Sequence, residues 1–136
     1  ECQVLMMRMK SDIVPALLAC AQADLGGVTL DWHDEAAITI VMAANGYPGS
    51  YEKGTEISGL SEAASDPAVE IFHAGTKRDG DVLRAAGGRV LNVTARGKNV
   101  TDAQKRAYDA LDKITWDDGF ARRDIGWRAI ARETDS

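Results

Sequence analysis

The chain has 136 residues, of which 45% are hydrophobic and 27% are charged, and this balance excludes a disordered chain. The length fits one domain that can bury a core without a disulfide or a metal. The 21 acidic residues outnumber the 16 Lys and Arg residues, and the formal net charge of −5 argues against a nucleic-acid partner.

The ends and the cysteines suggest where the chain works. No apolar run reaches the length of about 18 residues that a membrane helix needs, so we expect no membrane partner. Cys2 and Cys20 are not spaced like the cysteines of metal sites or redox motifs such as Cys-x-x-Cys. We interpret them as buried, reduced thiols of a cytoplasmic protein. The first residue is Glu1 rather than Met, which predicts a removed leader or a piece of a longer chain.

Residues 1–23 have helical periodicity with one interruption, and this pattern predicts two short helices. Ser11 or Asp12 suits the N-cap of the second helix, and Pro15 falls in its first turn. Gly26-Gly27 is expected to end that helix. We expect the apolar face of each helix to pack into the core.

The middle of the chain has the composition of a sheet. Four segments are predicted as strands: 36–44, 69–74, 81–84 and 89–95. The first is expected to be central and buried, and Asp79-Gly80 is a hairpin turn signal. Residues 61–67 are predicted as a loop. Because the last three strands have short connections, we predict an antiparallel meander and an α+β fold, with a sheet of about four strands flanked by helices.

A further helix is predicted near residue 101. Thr101 followed by Gln104 matches a capping box, which marks a helix start. The apolar positions of this helix share one face: Ala103, Ala107, Ala110, Leu111 and Ile114. Its opposite face is charged, and we interpret that face as solvated surface.

Known catalytic motifs are missing from the sequence. There is no nucleophile elbow, no Walker loop and no His-x-x-x-His pair. His33 and His73 are isolated, and we interpret both as structural or surface residues. Five acidic residues near turns are interpreted as solvated: Asp31, Asp34, Glu35, Asp117 and Asp118. We therefore predict neither a catalytic residue nor a metal site within this chain.

Two arginine motifs are candidates for anion binding. Gly87-Gly88-Arg89 places a guanidinium after two residues that let a ligand approach the backbone. The alternative interpretation is a turn followed by a surface arginine. Arg122-Arg123 could complete an anion site, or could pair with nearby acids.

Five motifs resemble those of phosphoribosylamine–glycine ligases (glycinamide ribonucleotide synthetases), and they occur in the same order along nearly the whole chain. The motifs are Glu1-Cys2-Gln3 with residues 6–12, residues 43–49 with Tyr51-x-Lys53-Gly54, residues 72–76, residues 87–94, and residues 122–130. Each motif alone is weak, whereas five in order are specific.

The resemblance implies an ATP-grasp ligase that joins glycine to 5-phosphoribosylamine through a glycyl phosphate, an early step of purine synthesis. It implies that ATP and Mg or Mn are bound mainly by parts that precede this chain. Glu1 matches the last residue of the family's Gly-Asp-Pro-Glu stretch. We accordingly predict that residues 1–25 are the end of the ATP-grasp unit and that 26–136 are the C-terminal α+β domain.

The resemblance also suggests roles for particular residues. The domain is expected to close one wall of the substrate site, where Gly87, Gly88 and Arg89 meet the phosphate of phosphoribosylamine. Gly46 and Tyr47 are expected to shape the adjacent loop. Arg123 is expected to be a second anion contact. Without the other domains, the first helix is expected to leave an apolar patch.

A different class of protein is also consistent with the sequence. The alternative is a stand-alone, non-catalytic α+β module that binds a small anion or a partner. Such a module would have a natural Met start and a self-sufficient surface. The upstream gene sequence distinguishes the two hypotheses, because the ligase hypothesis requires an ATP-grasp segment in the same reading frame.

Overall fold

A computed structural model describes residues 2–134, which contain five helices and seven strands. The helices are α1 (Cys2–Arg8), α2 (Ile13–Ala21), α3 (Leu60–Ala63), α4 (Val100–Leu111) and α5 (Trp127–Thr134). The strands are β1 (Ala36–Ala44), β2 (Glu56–Ile57), β3 (Val69–His73), β4 (Thr76–Asp79), β5 (Val82–Ala85), β6 (Arg89–Gly97) and β7 (Gly119–Ala121). The predictions that concern Glu1 lie outside the described residues.

The larger sheet carries the core. Its strands follow the order β3-β6-β1-β7, with antiparallel neighbours. Ile40 and Val93 are direct partners in the β1–β6 ladder, and both are fully buried against the apolar face of α4. Each such side chain contributes roughly 1.5–3 kcal/mol by burial. The predicted α+β fold, its four-stranded antiparallel sheet with flanking helices, and the buried strand over 36–44 are confirmed.

Strands β3 to β6 form one long ribbon that is bent in its middle. His73 pairs with Leu91 in the larger sheet, whereas Thr76 pairs with Ala85 in the smaller sheet, whose order is β2-β5-β4. The ribbon ends at the predicted turn, where Gly80 has a φ of 59°. A positive φ at this position suits a tight hairpin turn.

The predicted meander is therefore wrong. Segment 69–74 lies directly beside β6, and β5 lies between β2 and β4 in the other sheet. The charged stretch Thr76–Asp79 is a strand that the sequence pattern did not reveal. The predicted loop over 61–67 begins within a short helix, Leu60–Ala63, whose Ala63 is buried.

The start of α4 differs from the predicted capping box. Asn99 is the N-cap, and its side-chain oxygen accepts a hydrogen bond from the Asp102 N–H at 2.8 Å. Thr101 is inside the first turn, and the Gln104 side chain donates to the Ile125 carbonyl instead. Asn99, two positions before Thr101, can cap the helix because its backbone is extended and its side chain carries a hydrogen-bond acceptor. The apolar face of α4 is buried as predicted.

The N-terminal segment forms the two predicted helices. Asp12 is the N-cap of α2, and its carboxylate accepts from the Val14 N–H at 2.9 Å. The helix ends at Ala21, before Gly26-Gly27, and Ala23 adopts a positive φ of 56°. The expected end at the glycine pair is therefore wrong by several residues.

The apolar faces of α1 and α2 do not enter the core, contrary to expectation. Helix α1 has no buried residue, and in α2 only Ala19 is buried. The exposed large side chains are Leu5, Val14, Leu17, Leu18 and Leu25. The apolar patch expected on the first helix is therefore wrong, because among the large apolar side chains of α1 only Leu5 is exposed. The exposed patch lies on α2, against which no other described element packs extensively. Cys2 and Cys20 are free and exposed rather than buried.

Helix α1 lies against β1 and β6. The Arg8 guanidinium donates to the His33 carbonyl at 3.1 Å, and Arg96 forms an ion pair with Glu35 at 3.1 Å. These contacts join the first helix to the start of β1 and the end of β6. Among the described helices, none is long and apolar enough to cross a membrane.

Helix α5 is attached to the start of α4 through Glu133. Its carboxylate accepts from the N–H groups of Val100 at 2.6 Å and Thr101 at 3.2 Å, and from the Thr101 hydroxyl at 3.0 Å. These N–H groups lie at the N-terminus of α4, where the helix itself offers no acceptor. These hydrogen bonds hold the pKa of Glu133 below its ordinary value, and the bond from the Val100 N–H has the largest effect.

This attachment predicts a specific pH dependence. Because the folded pKa of Glu133 lies below its ordinary value of 4.5, its contribution to stability is present above 4.5 and is lost as pH falls through the folded value. As the pH is lowered, we expect the free energy of unfolding to fall more steeply for the native chain than for the Glu133→Gln variant. Urea denaturation from about pH 6 to about pH 3 measures both slopes. Glu52→Gln, at an exposed position, should retain the native slope, and parallel native and Glu133→Gln profiles would contradict the assignment.

Candidate functional site

The bend of the ribbon requires two glycines in contact. The Gly75 N–H donates to the Arg89 carbonyl at 3.0 Å, and the Gly87 N–H donates to the Gly75 carbonyl at 3.1 Å. A Cβ atom on Gly75 would lie 2.7 Å from the Gly87 Cα. Since real Cβ atoms do not approach backbone so closely, only glycine fits at position 75. The backbone N–H of Gly87 is thus already engaged within the ribbon.

Gly88 is packed beneath an aromatic ring. It is buried, its carbonyl accepts from the Ala44 N–H at 2.8 Å, and a Cβ atom on it would overlap the ring of Tyr47. Gly46 has a φ of 93°, and a side chain there would overlap the Ser50 carbonyl. The ring of Tyr47 therefore lies on Gly88, and Gly46 precedes Tyr47 in the same turn. The role expected of these residues in a substrate-site loop stays a prediction.

The aromatic contact continues away from the glycines. The rings of Tyr47 and Tyr51 meet edge to face, with centroids 6.2 Å apart. The Lys53 ammonium lies 5.9 Å from the centroid of the Tyr51 ring. Contacts through Tyr47 and Tyr51 therefore link Gly88 to Lys53, which lies in the loop between β1 and β2.

Arg89 offers an unpaired cation at this bend. Its side chain is exposed, and within residues 2–134 its guanidinium has no ion pair or hydrogen bond. A guanidinium matches phosphate or carboxylate oxygens in a two-point contact. Both glycines before it have packing roles, so within this motif the Arg89 side chain is the group that keeps free donors.

The second arginine motif is paired within the chain. Arg122 binds Asp124 through two hydrogen bonds of 2.9 and 2.7 Å, which lower the pKa of the Asp124 carboxyl and raise that of Arg122. Arg123 binds Asp112 at 2.6 Å and lies over the Tyr108 ring. Because β7 runs antiparallel to β1, both arginines lie beyond the strand end that is farther from Gly88. The structure does not bring Arg123 to the glycine bend.

One of the two histidines lies at this bend, because His73 and its contact Thr76 are on either side of Gly75. The other, His33, lies beside Glu35 near the start of β1. His73 Nδ1 is 3.0 Å from the Thr76 hydroxyl, and His33 Nδ1 is 3.8 Å from Glu35. Over the described part of the chain, no group of three or more His, Cys, Asp or Glu residues is arranged to hold a metal ion. The bend combines close backbone packing with an exposed guanidinium.

One group of cations was not predicted from the sequence. Lys53, Lys77 and Arg84 line a cavity of about 280 Å³, together with Asp79. Lys53 had been noted only within a family motif, and Thr76–Asp79 had not been recognised as a strand. The register also differs from the expected one: the two turn residues are Gly80 and Asp81, which places Lys77 opposite Arg84, whereas a turn at Asp79-Gly80 would have placed Lys77 opposite Val82.

These features define a class of protein: an α+β domain built on a four-stranded antiparallel sheet, with a glycine-lined bend and a free arginine at one end. Residues 37–128 match the family described as "Phosphoribosylglycinamide synthetase, C domain". The chain belongs to this family, and the match confirms the resemblance noted in the sequence.

Relatives and a solved structure agree with the family. Over 133 residues the chain is 59% identical to the phosphoribosylamine–glycine ligase of Mesorhizobium japonicum, covering 98% of this chain and 31% of that protein. It is 54% identical over 136 residues to the chloroplastic enzyme of Arabidopsis thaliana, covering 98% and 25%. The crystal structure of the Thermotoga maritima ligase is 29% identical, with a TM-score of 0.68, and the match covers 82% of this chain and 27% of that one. The chain thus spans about a third or less of these proteins.

The packing of Tyr47 on Gly88 predicts a coupled pair of substitutions. Gly88→Ala should displace the ring and lower the free energy of unfolding by about 1–3 kcal/mol, since an extra methyl overpacks the contact. In the double variant Tyr47→Ala/Gly88→Ala, the loss should be smaller than the sum of the single losses. Chemical denaturation of the four proteins measures this coupling.

Gly27→Ala is the matched control, because a Cβ atom at Gly27 would meet no atom within 4 Å. It should leave the free energy of unfolding nearly unchanged. Additive losses for Tyr47 and Gly88 would show that the ring does not depend on the glycine.

Proposed function

We propose that this chain is the C-terminal part of an ATP-dependent ligase that joins glycine to 5-phosphoribosylamine, giving glycinamide ribonucleotide through a glycyl phosphate. Family membership carries the proposal, supported by relatives that bear the name of this ligase over nearly the whole chain. This domain helps to close the substrate site, while the remaining two thirds of such an enzyme supply the other parts.

We assign the binding of ATP, with Mg or Mn, mainly to the preceding parts of the enzyme. The described residues do not fit the metal, because they include no group of three acidic, histidine or cysteine side chains around one point. No step of the mechanism is therefore assigned to a metal at this domain. ATP supplies the phosphoryl group that activates the glycine carboxylate.

Within this domain, we assign Gly87, Gly88 and Arg89 to the substrate phosphate. The Arg89 guanidinium is exposed and unpaired in the described structure, so it is available to offset the charge of a phosphate. Gly88 holds the Tyr47 ring, and Gly46 permits the turn that carries it. These two loops therefore position the anion contact. Arg123 is proposed as a second anion contact, for which it would have to leave Asp112.

The partners of the domain follow from the same proposal. We propose glycine and phosphoribosylamine as substrates, and the N-terminal and ATP-grasp domains as the neighbours of this part. The boundary between residues 25 and 26 stays a prediction, and it separates the apolar patch of α2 from β1. We propose a cytoplasmic location, although the relative from Arabidopsis thaliana is named as chloroplastic.

The alternative of a stand-alone anion-binding module is not favoured. The alignments cover 98% of this chain, and the ligases to which it aligns are three to four times longer. An independent module would not be expected to retain the two N-terminal helices with their exposed apolar side chains.

The 136-residue chain by itself should have no ligase activity. The proposal assigns ATP binding to other parts, so ADP release with glycine and phosphoribosylamine should equal the background rate. A complete ligase assayed in parallel is the positive control. Turnover by the isolated chain at a rate near that of the complete enzyme would contradict the proposal.

In a complete ligase that carries this domain, Arg89→Ala should raise the KM for phosphoribosylamine about tenfold or more. Removing one partner of a buried charged hydrogen bond costs roughly 2–5 kcal/mol. The KM for ATP should change little, and Arg89→Lys should restore only part of the loss, because lysine cannot form the two-point contact. Steady-state kinetics with each substrate varied in turn measures these effects.

Arg78→Ala is the matched control, since Arg78 is also exposed and unpaired within the described residues but lies on β4. It should leave both KM values unchanged. If Arg89→Ala lowers the free energy of unfolding while both KM values stay intact, Arg89 is a structural residue. The phosphate contact would then have to lie at Arg123 or in another domain.

A further inference from the structure

A groove lies on the face of the β4–β5 hairpin opposite to Lys77 and Arg84. Its volume is about 700 Å³, and it runs between the hairpin, α3 and β3. Lys77 pairs with Arg84 in the ladder, and Arg78 pairs with Leu83 at the next position. Because successive residues of a strand point to opposite faces, Arg78 and Leu83 line the groove, whereas Lys77 and Arg84 do not. The groove is therefore separate from the cavity that Lys77 and Arg84 line.

The groove has an apolar floor and a charged rim. Ile57 and Ile71 are buried beneath it, and Leu60 and Leu83 are half-buried. The exposed charged side chains of its lining are four acids and one arginine: Glu56, Glu62, Glu70, Asp81 and Arg78. Within residues 2–134, none of these five side chains has an ion pair or a hydrogen bond. Four carboxylates and one guanidinium leave the rim with an excess of negative charge.

The groove also follows an unpaired strand edge. Strand β3 is the outermost strand of the larger sheet. The N–H of Ala74, directly after β3, donates to the Val90 carbonyl at 3.0 Å. Since backbone groups alternate in direction along an antiparallel strand, the N–H and C=O groups of Ile71 and His73 point away from β6. Such outward groups can pair with the backbone of an added strand.

We propose that this groove binds an extended, basic segment of a partner protein, which adds as a strand beside β3. An extended chain alternates its side chains between two faces, so apolar residues at every second position can cover the floor. The uncompensated carboxylates of the rim favour lysine or arginine at other positions of the segment, whose long side chains reach past the apolar contact. The inference does not rest on the proposed ligase function, because none of the residues assigned to the substrate lines this groove.

Charge and the open edge distinguish this partner from other occupants. A second copy of the chain would bring an identical acidic rim against the first, and the net charge of −5 adds to that repulsion. An anionic ligand would meet the same carboxylates. A basic segment instead offsets the like charges that Glu56, Glu62 and Asp81 place around one groove. An extended segment is favoured over a helix, because a helix has already paired its backbone groups internally.

The test is a titration of the ¹⁵N-labelled 136-residue chain with a capped synthetic peptide of alternating lysine and valine. Saturable shift changes are expected at Leu60, Ile71, His73 and Leu83, and added salt should weaken binding. A peptide of alternating glutamate and valine should not bind. A lysine–valine analogue with every peptide nitrogen methylated should bind at least about tenfold more weakly, because it cannot donate to the β3 edge.

Two double variants test the rim. Glu62→Gln/Glu70→Gln should weaken binding of the lysine–valine peptide about fivefold or more, because two exposed charge pairs are lost. Asp34→Asn/Glu52→Gln is the matched control, since it changes the net charge equally at exposed acids outside the groove. It should bind as the native chain does. Circular dichroism spectra confirm that each variant is folded.

A complete ligase that carries this domain should bind the labelled lysine–valine peptide with similar affinity, measured by fluorescence anisotropy. The proposal is overturned if the peptide does not saturate, if the methylated or glutamate peptide binds equally well, or if Glu62→Gln/Glu70→Gln binds as the native chain does. It is also overturned if the complete ligase does not bind, since another part of the enzyme then covers the groove. Dimers of the native chain that pair through β3 would identify a second copy as the occupant and would overturn it as well.

Discussion

The close approach of Gly75 and Gly87 is the contact on which the two-sheet arrangement depends. At this point the β3–β6 ribbon leaves the larger sheet and enters the smaller one. A side chain on Gly75 would push the two strands apart, since it would meet the Gly87 backbone and the Arg89 carbonyl. The bend redirects the hairpin β4–β5 out of the larger sheet, so that β5 can pair with β2.

The bend also explains why the exposed arginine and the cation-lined cavity lie where they do. Gly88 leaves the ribbon directly after the contact and fixes Tyr47 by allowing its ring to lie on the backbone. Arg89 then begins β6, opposite Ala43 in β1. On the other side of the bend, the same ribbon aligns Lys77 with Arg84. One backbone feature therefore positions a free arginine and a cationic cavity within a few residues of each other.

The remainder of the molecule supports this end of the sheet from a distance. Helix α4 buries the apolar residues of β1 and β6, and Glu133 attaches α5 to the N-terminus of α4. Trp116 is nearly buried and donates to the Thr55 hydroxyl at 2.9 Å, which joins the segment after α4 to the loop before β2. The apolar side chains of α2 remain exposed, and an exposed apolar patch of this kind is typical of a contact surface.

The sequence by itself determined the elements whose patterns are local. The dense apolar run of β1, the spacing of alanines in α4 and the presence of a turn at Gly80 each depend on neighbouring residues, so their patterns were sufficient. The ordered family motifs identified the kind of protein. The sequence also suggested that Gly46, Tyr47 and Gly88 belong to one region, but not that Tyr47 packs on Gly88.

Only the tertiary structure decided the strand order and the surroundings of each cation. Strand pairing joins residues that are far apart in the chain, and the charged strand β4 has no apolar pattern because its residues are largely exposed. Arg89 and Arg123 look alike in the sequence, yet Arg89 has no partner among residues 2–134, whereas Arg123 is bound to Asp112. The sequence also could not show how far α1 and α2 are exposed. An amphipathic pattern shows that a helix has an apolar side, but it does not show which element covers that side.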